Sequence, residues 1–69
     1  MMAVYEIPTI DHNDYVTCYG FDPNETVVAY MVDAVAKTAV TISISNNVVQ
    51  VNQVGVDDVR AVLFVYGLM

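Results

Sequence analysis

Sixty-nine residues with a single cysteine allow one small domain (residues 1–69) and no intrachain disulfide. Hydrophobic side chains make up 57% of the chain and charged ones 14%, more apolar surface than so small an interior can hold, which predicts self-association as a homo-oligomer. Eight carboxylates against only Lys37 and Arg60 give a net charge of −6, which argues against nucleic acid and anionic membranes, since binding phosphates takes cations that displace their counterions.

The opening MMAVYEIP lacks the basic segment and long apolar core of a secretory leader. The longest apolar run, AVLFVYGLM, is far shorter than the ~20 residues a spanning helix needs. With the lone cysteine, these features point to a cytoplasmic protein. Residues 3–7 (AVYEI) alternate weakly and read as a strand ending before Pro8. Residues 8–14 (PTIDHND) are turn formers. Residues 15–19 (YVTCY) are aromatic and β-branched and read as a second strand closed by Gly20.

FDPNETVVAYMVDAVAKT carries helix signals. Asp22 is placed to cap the first free N–H groups, Pro23 sits where a missing N–H costs nothing, and Glu25 falls three residues after the cap. Val27, Val28, Met31, Val32 and Val35 recur at helical spacing, and Asp33 and Lys37 form an i,i+4 pair. The spacing predicts a helix over about 23–37. AVTISISNNVVQVNQV predicts a hairpin turning at Asn46-Asn47, with Ile44 opposite Val49 and Ile42 opposite Val51. Ser43, Ser45, Gln50 and Asn52 then take the other face, and a fray or bulge is expected near Gln53-Val54. In GVDDVRAVLFVYGLM, Asp57 and Asp58 suit a helix start, with Val59, Val62, Leu63 and Tyr66 on one face, giving a helix over about 57–66 capped by Gly67. Val62, Phe64, Val65 and Tyr66 also suit a strand, which would make the fold mostly β. The first reading gives an α+β fold in the order β-β-α-β-β-α, a four-stranded antiparallel sheet with two helices on one face.

The chemical constellations are thin. A zinc site needs four ligands, mostly Cys and His, and the chain has one of each, His12 and Cys18. DHNDYV matches a calcium loop at Asp11 and Asn13 and fails at Tyr15 and Val16. A metal shared across an oligomer interface is the surviving metal reading; otherwise no cofactor is implied. Cys18 and His12 lack an oxyanion loop and a cation to activate the thiol, so an enzyme is not expected. The sequence instead suggests a small acidic protein-interaction module that docks on a basic protein surface as an inhibitor or adaptor, with the general look of a viral accessory protein. Asp11, Asp14, Asp22, Glu25, Tyr15, Tyr19 and Tyr30 are the candidate contact residues. Two rivals stand beside it: an assembly subunit of a particle or filament, and an inhibitor that imitates nucleic acid. No motif identifies a family.

Overall fold

The computed structural model describes residues 1–69 and consists of strands and turns only. Seven strands form: β1 (Met2–Ile10), β2 (Tyr15–Thr17), β3 (Val28–Asp33), β4 (Ala39–Val40), β5 (Ile42–Ser45), β6 (Val48–Val51) and β7 (Val59–Tyr66). They build two antiparallel sheets, one in the order β1-β7-β3-β4 and a smaller one in the order β2-β6-β5. The expected α+β fold with two helices on one face is therefore wrong; the fold is all-β.

The two expected helices fail for one reason. Valine-rich runs with apolar residues on both parities satisfy a period of two as well as a period of 3.6, and β-branching tips the balance toward the pleat. The cap signals at 22–25 are real but serve a turn. Asp22 Oδ1 accepts from the Asn24 N–H at 2.9 Å, and its carbonyl accepts from the Glu25 N–H at 3.2 Å. No helix follows, and Val28 starts β3. Asp33 and Lys37 meet in a turn and not in a helix, the Lys37 N–H donating to the backbone carbonyl of Asp33 at 2.9 Å. Its Oδ1 accepts from the Val35 and Ala36 N–H groups, both at 2.9 Å, and Lys37 takes φ 62° to close the turn into β4. Residues 57–66 correct likewise: Val59–Tyr66 is the strand hydrogen-bonded to both β1 and β3. Asp58, at φ 55°, is a turn residue and not a helix cap.

The hairpin forms in the anticipated register. Ile44 pairs with Val49 and Ile42 with Val51, while Ser43, Ser45, Gln50 and Asn52 are exposed. Asn46 takes the positive φ, at 51°. Near Gln53 the strand ends, and the Gln53 Oε1 accepts from the Thr41 N–H at 2.8 Å. Thr41 is also where the chain leaves β4 in one sheet and enters β5 in the other. Pro8 does not end β1; the strand runs on to Ile10 with a register shift between Ile7 and Ile10, the irregularity a missing N–H calls for.

One hydrophobic cluster lies between the sheets. Met31, Ala61, Leu63 and Val65 come from the larger sheet and Val49 and Val51 from the smaller. Cys18, Phe21, Val27 and Val56 close it from the loops. Asn47 is its one buried polar residue. Its Nδ2 donates to the carbonyls of Cys18 (3.3 Å) and Phe21 (3.5 Å), and its own carbonyl accepts from the Cys18 N–H at 2.8 Å. The hairpin turn thereby fastens the long connection between β2 and β3.

Candidate functional site

The larger sheet has a second face with nothing upon it. Alternation along β1, β7 and β3 turns Ala3, Tyr5, Ala61, Leu63, Val65, Ala29 and Met31 inward. The residues between them point out and align by register into three rungs: Met2–Tyr66–Val28, Val4–Phe64–Tyr30 and Glu6–Val62–Val32. Every position of this grid but Glu6 is apolar or tyrosine. Met2 and Val28 are each 69% exposed and Tyr66 62%, so the face is uncovered, and a shallow groove runs across it between Met2, Tyr30 and Phe64. Contiguous exposed apolar patches of this kind are uncommon on monomeric proteins.

The ends of the face differ in charge. Beyond the Val28 end lies Glu25, beside Thr26, Tyr66 and Leu68. At the opposite end Lys37 and Arg60, the chain's only basic side chains, line a second groove with Glu6 and Val62. Asp33 also sits at that end, but the Ala36 and then the Val35 N–H engage its carboxylate and hold it below the ordinary aspartate range.

The residues singled out from the sequence do not gather in one place. Asp11 and Asp14 follow β1 at the Val59 end of the larger sheet; Asp22 and Glu25 lie near its Val28 end. Tyr30 lies at one end of the middle rung of the uncovered face. Tyr15 borders the smaller sheet beside Ser43, Ser45 and Gln50, and Tyr19 is exposed in the loop after β2. The DHND segment is a hydrogen-bonded turn. Asp14 Oδ2 accepts from the Asp11 N–H (2.9 Å), Asp11 Oδ1 from the Asp58 N–H (2.6 Å), and Asn13 takes φ 74°. The His12 N–H donates to the Val56 carbonyl at 2.8 Å, while its buried Nδ1 has no partner.

Cys18 is fully buried, and burial pushes its thiol up, an effect the nearby Tyr5 hydroxyl partly offsets. Tyr5 is pushed up in turn by burial and by the neighbouring sulfur. A thiol held protonated in a core is a packing group and a poor nucleophile. No three of the chain's His, Cys, Asp and Glu side chains come together as metal ligands. No helix is long and apolar enough to cross a membrane.

Of the uncovered face, the sequence pattern singles out only Tyr30 as a contact residue. Met2, Val4, Val28, Phe64 and Tyr66 do not stand out in it, Tyr66 because the helical spacing groups it with Val59, Val62 and Leu63. The signal was present: residues 28–32 and 61–66 are apolar on both parities, and a strand of that kind needs cover on both sides. Comparison with protein-family models, with curated proteins and with solved structures gives no match, so functional inference rests on this geometry.

Proposed function

We propose that this protein is a non-enzymatic interaction module whose contact surface is the outer face of the β1-β7-β3 sheet. What supports the reading is the three-rung apolar grid on a chain that already possesses a separate, closed core. A monomer gains nothing from exposing Phe64, Tyr30 and Tyr66 side by side, whereas a contact surface gains large area at low side-chain entropy from aromatic residues. Apart from Glu6 on the edge strand, the acidic side chains fall around this face and not on it, so they set the preference for what lies at a partner's rim. Cationic side chains placed opposite those acids are the match, on a partner that is basic throughout or only at that point.

The two rivals draw less support. A filament grown by strand addition would use a free sheet edge; Glu6, Pro8 and the register shift after Ile7 work against the long edge of β1, and the other edge strands, β2, β4 and β5, are short. An imitation of nucleic acid needs a continuous carboxylate track, and here Asp11, Asp14 and Asp58 are tied into turn hydrogen bonds while Asp22 and Glu25 stand at the other end.

The test is photo-crosslinking in the native cell, with a benzophenone amino acid at Tyr30 and, separately, at Gln50 on the exposed side of the smaller sheet. Adducts from position 30 and none from position 50 support the reading. No adduct at 30, or equal labelling from both, overturns it.

A further inference from the structure

We infer that the uncovered face is closed by a second copy of this chain, stacked face to face about a two-fold axis that runs across the strands through the Val4–Phe64–Tyr30 rung. The inference rests on the contact-surface reading above and names its occupant.

Area is the first argument. The exposed parts of Met2, Val4, Val28, Tyr30, Phe64 and Tyr66 amount to on the order of 700 Å² per copy, close to the ~800 Å² per partner of a standard specific interface. The face is also flat and self-similar along its middle rung, with Phe64 between Val4 and Tyr30, so two copies oppose aromatic to aromatic. Aligned packing of two sheets about 10 Å apart is the ordinary way such faces are covered.

Charge then selects the orientation. An axis across the strands lays β3 over β3 of the second copy with reversed direction. Glu25, beyond one end of β3, comes to the Lys37 end of its counterpart, and this happens twice by symmetry. An axis along the strands would instead lay β3 over β1 with like ends together: Lys37 would fall over the Glu6 corner, but Arg60 would face Arg60 and each Glu25 would lack a cationic side chain. Asp33 at the Lys37 end is engaged by its own hairpin, and Asp11, Asp14 and Asp58 are engaged in the turns beyond β1. Glu6, on the edge strand, keeps its carboxylate at the rim of the stack.

The experiment is sedimentation equilibrium on the full chain and five variants, each checked for a native far-UV spectrum. The wild type is expected to dimerise. Phe64→Glu, with Tyr30→Glu as a second variant should the first fail to fold, is expected to weaken the dimer at least a hundredfold. Glu25→Lys and Lys37→Glu are each expected to weaken it about three- to tenfold, as rim charge pairs do. The double variant Glu25→Lys/Lys37→Glu is expected to recover wild-type affinity, because the exchange restores opposite charges across the axis. A wild type that stays monomeric up to millimolar concentration overturns self-pairing. In that case crosslinked adducts from position 30 heavier than twice the chain retain the contact face with a different occupant, and no adduct at all removes both. A dimer insensitive to the Phe64 and Tyr30 variants places the interface elsewhere and overturns the inference. A dimer that needs them but is not rescued by the charge exchange overturns the orientation.

Discussion

Replacing Val65 with alanine removes both γ-methyl groups from a side chain that is 1% exposed and flanked across the sheet by Ala3 and Ala29. Losing two buried carbons costs about 1.6 kcal/mol in transfer free energy at ~0.8 kcal/mol each. The small alanine neighbours cannot close the gap, and a residual void of roughly 40 Å³ adds about 1 kcal/mol. The total, near 2.5 kcal/mol, is a large part of the roughly 3.5–10 kcal/mol expected for a chain of this length at 0.05–0.15 kcal/mol per residue. Val62→Ala makes the same chemical change three residues earlier, on the half-buried outer side of the same strand. It leaves no closed void and loses only part of the transfer term, about 0.5–0.8 kcal/mol in the monomer. Any loss of strand propensity is common to both variants and drops out of their difference. The assay is urea unfolding followed by far-UV circular dichroism and tyrosine fluorescence, at concentrations where sedimentation shows a monomer. If Val62→Ala costs as much as Val65→Ala or more, the strand assignment of residues 59–66 is refuted, since a helix here would bury Val62 and expose Val65.

Three further outcomes are expected. Asn47→Ala should destabilise the fold by about 1–3 kcal/mol in the same urea assay, because it leaves the Cys18 and Phe21 carbonyls without their side-chain donor. Cys18 should resist a thiol-exchange reagent in the native state and react at full rate only in denaturant; brisk native-state labelling would contradict its packing role. Asp33 has its folded pKa depressed, so its contribution is present above the unfolded carboxylate range and is lost as pH falls through the lower folded value. Asp33→Asn should therefore be less stable than wild type at neutral pH, with the two urea midpoints converging in acid; a gap that persists unchanged below the folded pKa would sink this account.

Local chemistry was legible in the sequence where one period and one turn type agreed. The hairpin between Ile42 and Val51 is the clearest case: strict alternation fixes the face, Asn46 supplies the positive φ, and only one register satisfies both. The polar turn at Asp11–Asp14 was legible for the same reason, since the Asp14 carboxylate accepts from the nearby Asp11 N–H, whereas the bond that the distant Asp58 N–H donates to Asp11 was not. Residues 28–33 and 59–66 were not. Their valines leave the period undetermined, and the Asp22-Pro23-Asn24-Glu25 signal opens a turn as readily as a helix. What decided them was pairing between segments far apart in sequence, β7 with both β1 and β3. The uncovered face was illegible in consequence, because its rungs exist only once that pairing is known. Tyr30 could be noticed as an aromatic residue, but its alignment with Phe64 and Val4 could not.

The larger sheet is closed by the strand that comes last in the chain. β1 and β3 never touch by hydrogen bonds; each is joined to the other only through β7 between them. Until residues 59–66 are in place, β1 has no partner at all and β3 has only the two-residue β4. No stable half of this sheet can accumulate during synthesis or refolding. The protein must instead assemble in one late, cooperative step dominated by distant contacts, which is slow for its size. Before that step, the valine-rich segments that later form two sheet faces stand open together, and that is the interval in which this chain is most exposed to aggregation.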